Sequence, residues 1–249
     1  MEEKNQQNGI RINKFLSEAG VCSRRAADRE IEAGNVKIGE RTAGPGDRVL
    51  PGETVFFCGK AVAAEEEEIL IAFHKPRGIV CTAEKREKNN IIDYIKYPKR
   101  IYPMGRLDKD SEGLILLPNQ GDLVNRMMRA GNYHEKEYMV TVDREVTDAF
   151  LQGMRNGVYL EELNVTTRPC QVEKRGKKQF AIILTQGYNR QIRRMCQMFG
   201  YRVTRLVRVR IMNIYLGDLQ EGNWRDVTPR EKRELYRSIR DSYSAPRKK

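Results

Sequence analysis

Apolar residues recur at helical spacing at Ile12, Phe15, Leu16 and Ala19, and Gly20 follows the last of them. That spacing predicts a short helix with one buried stripe. Ser23 is placed to cap a second helix whose Ala26, Ala27 and Ile31 share a face and which Gly34 ends. The stretch NVKIGERTAGPGDRVLPGETVFF then alternates apolar pairs with Gly and Pro turns, so it predicts short strands. Residues 10–62 therefore read as one small unit, closed by the acidic link at 63–68. At residue 69 the texture changes. ILIAFHKPRGIVCT predicts two strands around a Lys-Pro-Arg-Gly turn, and His74 and Lys75 are given only a structural part there. Residues 121–130 predict a helix, KEYMVTV at 136–142 alternates as a strand, and TDAFLQGMRNG predicts a helix ended by Gly157. Strands are expected at 169–173 and 179–185. GYNRQIRRMCQMFG, 187–200, predicts a helix entered from a glycine loop, and RVTRLVRVRIMNIYLG supplies further strands. Residues 1–9 and 240–249 are expected to be disordered.

Composition narrows the class. The 249 residues suit one medium domain and one small one. With 39% hydrophobic and 32% charged residues, the chain reads as soluble and globular with a heavily charged surface. Lys and Arg number 46 against 34 Asp and Glu, a net charge of +12, which favours an anionic partner over charge that serves solubility alone. No apolar run is long enough for a membrane helix, and the first residues lack a signal-peptide core. The five cysteines, Cys22, Cys58, Cys81, Cys170 and Cys196, are scattered without a CxxC pair, which argues against disulfides or a zinc site. A reducing cytoplasm is expected. Only His74 and His134 are present, too few for chemistry built on several histidines; His134 is assigned no role.

Two features carry chemistry. Five cations, Arg11, Lys14, Arg24, Arg25 and Arg29, crowd the first helices, largely off the apolar stripe. A solvated face is the plain explanation; their density favours a phosphate-binding surface. The second feature is GRLDKDSEGLILL, 105–117, where a polar turn runs straight into an apolar segment. Asp108, Asp110, Glu112 and Gly113 imitate the start of a calcium loop. The ninth and twelfth positions of such a loop would be Leu116 and Asn119, so the bidentate carboxylate is missing. Taken alone, the stretch would be a polar turn before a core strand.

It does not stand alone. RINKFLSEAGVCSRRAADREIEAGNVKI, with the GD and PGE turns after it, resembles the alpha-L RNA-binding motif first known from a small-subunit ribosomal protein. GRLDKDSEGLILL, the Lys-x-Tyr of Lys136–Tyr138 and GYNRQIRRM at 187–195 resemble, in order, three motifs of the pseudouridine synthases, in the branch acting on ribosomal RNA. The resemblance covers about residues 10–235. It implies an α+β fold: a small N-terminal α/β RNA-binding domain at 10–62, an acidic linker at 63–68, and a catalytic domain at 69–239 with a large mixed, mainly antiparallel β-sheet flanked by helices. It implies Asp108 as catalytic carboxylate, Arg193 as its cationic partner and Tyr138 as the ring against the target uracil. A carboxylate in a dry pocket tends to take up a proton, and a guanidinium beside it opposes that. Arg106 would fill the gap left by the extruded base, with Arg190 and Arg194 on nearby phosphates. No metal and no organic cofactor is expected. The expected partner is 23S rRNA, with a tyrosine tRNA as a second candidate; no membrane is involved and the chain is expected to be a monomer. Asn189-Arg190-Gln191 replaces the Tyr-His-Gln of relatives with other target sites, and only a short PRKK end remains of the subgroup's basic tail. The competing function is a non-catalytic RNA-binding factor of ribosome assembly, which would use the same basic surfaces.

Replacing Arg24 and Arg25 together by Ala should weaken RNA binding and flatten the plot of log affinity against log salt by about one to one and a half if both touch phosphate. A salt titration checks this, and an unchanged slope would make both arginines ordinary surface charge.

Overall fold

In the computed structural model, which describes residues 9–63, 67–128 and 130–240, the chain divides into two compact units that meet between Glu68 and Ile69. Residues 1–8 and 241–249, expected to be disordered, lie outside the described residues, as do 64–66 of the acidic link. In the first unit α1 spans Ile12–Glu18 and α2 spans Arg24–Glu32. Ser23 Oγ accepts the Ala26 N–H at 3.1 Å, which satisfies a donor that the first turn of α2 leaves free. The strands β1 (Val36–Ile38), β2 (Arg41–Thr42), β3 (Val55–Phe57) and β4 (Lys60–Val62) form a sheet in the order β2-β1-β3-β4. Ile12, Leu16, Ala27, Ile31, Val36, Ile38 and Val55 join its two layers in one apolar cluster.

The second unit is built on an eight-stranded sheet. Its elements in chain order are β5 (Leu70–Lys75), α3 (Ile91–Ile95), β6 (Glu112–Pro118), α4 (Gly121–Met128), β7 (Lys136–Val142), α5 (Asp148–Arg155), β8 (Gln171–Gly176) and β9 (Gln179–Leu184). They continue with α6 (Gln191–Met198), β10 (Val203–Ile211), β11 (Ile214–Tyr215), β12 (Trp224–Asp226) and α7 (Pro229–Ser238). The strand order is β8-β9-β7-β10-β6-β5-β12, with β11 against β10. Neighbours run antiparallel except β10 and β6. The sheet is therefore mixed and mainly antiparallel.

Side chains alternate between its faces. On one face Leu70, Ala72, Leu114 and Leu116 pack with Leu123 and Met127 of α4 and Leu235 of α7. On the other, Ile71, Phe73, Ile115 and Leu117 pack with Ile91 and Leu107. Further along that second face, Val140, Phe180 and Ile182 pack with Phe150 of α5 and with Ile192 and Met195 of α6. Every residue of β6 is buried, which is why its sequence after Glu112 reads as an apolar run.

Several expectations are corrected. Ile79–Thr82 is not a second strand: the Thr82 N–H turns back to Val80 O at 2.9 Å, and only an isolated bridge joins Val80 to Asn90. Ile79 and Cys81 both enter the core there, as alternate residues of a strand would, but the backbone is taken up by these turn contacts instead of a ladder. The strand expected at 169–173 begins at Gln171 and runs to Gly176, and the helix expected from 187 begins at Gln191. Helices α3 and α7 and strand β12 were not foreseen. With five residues, α3 is too short to show a period. By contrast α7 carries a readable start, a capping box between Thr228 and Glu231 with Pro229 inside it.

Gly113 lies in β6 where β10 passes closest. A Cβ there would stand 2.5 Å from Arg208 N and against its carbonyl oxygen, and the residue's φ is +112°. Gly113→Ala should cost about 2–4 kcal/mol through strain and overpacking. Chemical denaturation checks this; a loss below about 1 kcal/mol would mean the strands part easily.

Candidate active site

Asp108 stands in the turn that leads into β6. Four contacts hold this turn. The buried Leu107 N–H meets Cys81 Sγ at 3.3 Å, the Ser111 N–H returns to Asp108 O at 3.0 Å, and the Gly78 N–H reaches Lys109 O at 2.8 Å. The fourth comes from Lys75, which is fully buried at the end of β5. Its Nζ donates to Pro76 O at 2.8 Å and Ser111 O at 2.7 Å. Burial pushes the Lys75 pKa below the ordinary lysine value, and the nearby Asp108 and Asp110 carboxylates partly restore it.

The cations arrive from α6. Arg190 is its N-cap, in a left-handed conformation with φ 51°. Its guanidinium grips Asp110 at 3.2 and 3.0 Å and lies 3.8 Å from Asp108 Oδ2. Arg193 Nη2 donates to Asp110 O at 3.1 Å and Ser111 Oγ at 3.2 Å, and lies 3.4 Å from Asp110 Oδ2. Its Nη1 donates to Val203 O at 3.2 Å. The guanidinium nearest Asp108 is that of Arg190, while Arg193, one helical turn further in, is hydrogen-bonded to Asp110, Ser111 and Val203 and feels the Asp108 charge from there. Burial works against the Asp110 charge, but the Arg190 hydrogen bonds and the Arg193 charge outweigh it and hold that carboxyl below its usual range. Burial likewise lowers the pKa of Arg193, with Asp110 opposing.

The sheet supplies a floor on the same face. Strand register aligns Lys75 with Gly113, Gly113 with Arg208, Arg208 with Tyr138, and Tyr138 with Ile182. Tyr138 is half-buried and packs against both apolar clusters of this face, one of which contains Leu107. Arg208 is almost wholly buried and its Nε donates to Leu114 O at 2.6 Å. Gly113, without a side chain, lets the Arg208 backbone come close in this row. Lys136 Nζ reaches His134 O at 3.3 Å. Burial, reinforced by Arg208, lowers its pKa to about 8. Beneath the turn, the buried Glu112 is clamped by Arg77 Nε at 3.1 Å and Arg205 Nε at 2.5 Å.

The other candidate residues are placed as follows. Arg106 is exposed in the turn before Asp108. Arg194 pairs with Glu162 and donates to Asn189 O at 3.1 Å. Arg11, Arg24, Arg25 and Arg29 are exposed on the first unit, and Lys14 pairs with Glu18 at 3.7 Å. The sequence reading missed the parts of Lys75, Asp110, Ser111 and Arg208. A lysine directly before Pro at the end of an apolar strand was the readable sign for Lys75; Arg208 gave none. Among the described residues no cluster of His, Cys, Asp or Glu could hold a metal ion, and Leu116, the ninth position of the imitated calcium loop, is fully buried in β6. What remains is Asp108, whose side chain is 29% exposed and lies beside a guanidinium without being gripped by it, whereas the more exposed Asp110, at 49%, is held by two arginines. This arrangement suits a base or a nucleophile.

The family profile described as RNA pseudouridylate synthase matches residues 69–198. The chain belongs to this family. An S4 domain profile matches residues 10–55. Among its relatives, the synthase is 51% identical over 237 residues to the dual-specificity RNA pseudouridine synthase RluF of Escherichia coli strain K12, covering 94% of this chain and 81% of that one. It is 34% identical to the ribosomal large subunit pseudouridine synthase B of Bacillus subtilis strain 168, covering 90% of this chain and 95% of that one. A crystal structure of a pseudouridylate synthase aligns with a TM-score of 0.67 at 26% identity, over 91% of this chain and 99% of that one. This synthase is an isomerase acting on RNA, with a small N-terminal RNA-binding domain ahead of its catalytic sheet.

Because the folded-state pKa of Asp110 is lowered, its ion pairs stabilise the protein above the unfolded carboxyl pKa and are lost as pH falls through the folded one. Asp110→Asn should therefore cost about 1 kcal/mol at pH 7, limited by solvent screening of a half-exposed group. The gap from wild type should close below about pH 4. Thermal melts across pH test this; a gap independent of pH would assign the loss to packing.

Proposed function

We propose that this synthase isomerises a specific uridine of 23S rRNA, with Asp108 acting at the ribose as base or nucleophile and with no cofactor. The observation that carries this reading is the Asp108 carboxylate 3.8 Å from Arg190 and partly open to solvent, next in the chain to Leu107, which packs in the cluster that also receives Tyr138. In the reaction the bond from uracil N1 to ribose C1′ breaks. The base turns, and a bond from C5 to C1′ replaces it. The C5 hydrogen leaves to water as a proton and N1, freed from the sugar, takes up a proton from water, so atoms and electrons balance without an added reactant. The uridine must leave its stack to reach a carboxylate held in a turn.

Tyr138 would hold the freed uracil by its ring face. Arg106, exposed beside Asp108, would occupy the gap in the RNA. Arg190 would place positive charge beside Asp108, 3.8 Å away, and Arg193 holds the turn through Asp110 and Ser111. Arg194, with Arg190, would meet phosphate near the target. Arg11, Lys14, Arg24, Arg25 and Arg29 of the first unit would add phosphate contacts that position without reading sequence. A second substrate class is favoured by the dual specificity named for the relatives; a tyrosine tRNA is the candidate. No helix among the described residues is long and apolar enough to cross a membrane, and we assign the synthase to the cytoplasm as a monomer.

Tritium release from C5-labelled uridine in unmodified 23S rRNA tests this, with wild type and Asp108→Asn compared in chelator. Wild type should release tritium. The variant should lose at least about 10³-fold while its RNA affinity stays within a few-fold. Binding by both without release from either would favour the assembly factor and send the search to tRNA; an active Asp108→Asn would remove Asp108 from the chemistry.

A further inference from the structure

Tyr133 precedes β7 by three residues and sits in a left-handed conformation, φ 56°. A bulky side chain is disfavoured there, where Asn or Gly would be easier. Its side chain is nevertheless spent on the surface: the residue is 60% exposed and belongs to none of the apolar clusters of the described residues. The ring is not bare. The Arg168 guanidinium carbon lies 4.0 Å from its centroid, within cation–π range.

Arg168 also ties this pair to the active site. Its Nη1 donates to Thr185 O at 3.3 Å. Thr185 is the first residue after β9 and opens the 185–190 segment that delivers Arg190 to Asp108 and Asp110. Three residues back along β9 is Ile182, in register with Tyr138 and hence with the floor row. Three strand residues are about 10 Å. The chain that carries Arg168 approaches from the active-site face, since Leu160 is buried and Val165 packs in the cluster that also receives Tyr138.

We propose that Tyr133, backed by Arg168, is a stacking site for an unpaired nucleobase flanking the target uridine. The proposal rests on the synthase reading above. Extrusion of the target takes a stacking partner from its neighbours, and an exposed ring tied through Arg168 to the start of the segment that carries Arg190 offers them another. Proteins that bind splayed or single-stranded RNA take up bases on aromatic and guanidinium planes in this way. Arg168 fixes the ring from one side and adds positive charge near the RNA backbone. A stacking site of this kind tolerates any base, so it would secure the RNA around the target without choosing its sequence.

The test uses the full chain and an unmodified RNA substrate with 2-aminopurine placed next to the target uridine, on either side in turn. Tyr133→Ala should raise KM for RNA by about 5- to 150-fold, the range for loss of one stacked base. At saturating RNA its kcat should be unchanged, its melting temperature should match wild type, and 2-aminopurine fluorescence in the complex should rise. Tyr133→Phe and Tyr133→Trp should restore KM and quenching. Arg168→Lys, which keeps the charge and loses the plane, should fall between. An unaltered KM and fluorescence in Tyr133→Ala would overturn the proposal. So would a fall in melting temperature that accounts for the whole effect, or a failure of Phe and Trp to restore binding. Tritium release by the wild type reports separately on the synthase reading.

Discussion

The buried ammonium of Lys75 is the constraint around which the catalytic half is arranged. Removing an ammonium from water is costly unless its donors are met by good acceptors. Here they are met by the carbonyls of Pro76 and Ser111, and those two carbonyls belong to different turns. One follows β5 and the other leads into β6. A single charge thus fastens the turn that presents Asp108 to its neighbour in the sheet. The Asp108 and Asp110 carboxylates favour the same charge, so the lysine and the acidic turn stabilise one another.

The two aspartates of that turn, two residues apart, take different parts because their partners differ. Asp110 receives both Arg190 and Arg193 and acts as an anchor for the start of α6. Asp108 lies 3.8 Å from Arg190 without a bidentate grip and keeps a partly exposed carboxylate. A carboxylate held without a bidentate grip keeps its lone pairs free, which is what a base or nucleophile requires. The floor follows the same division. Arg208 is spent on Leu114 O, and Gly113 gives up its side chain so that β6 and β10 can approach. Tyr138 keeps a ring that is half-buried, supported on both sides by the core.

Much of this was legible in the chain. Period-two alternation placed β7, because one register buries Val140 and Val142 while leaving its other residues partly accessible. The apolar run from Leu114 to Leu117 pointed to a core strand at β6. Ser23 and the alanine stripe placed α2. The ordered motifs pointed to Asp108, Tyr138 and the arginines of α6 before any coordinate was known.

What the sequence by itself determined were local matters: helix and strand periods, caps, the excess of positive charge, and which residue types stand in which motif. These depend on neighbours within a few positions and are written in the order of the chain. The partners of the charges were decided only in the tertiary structure. Arg190 and Arg193 are both guanidiniums on one helix, and nothing in their spacing says which meets Asp108. That choice depends on how α6 enters from a left-handed Arg190, 80 residues away from the acidic turn in sequence. The row from Lys75 through Gly113 and Arg208 to Tyr138 draws on four strands far apart in the chain. Only the hydrogen-bond register of a folded sheet brings such residues side by side.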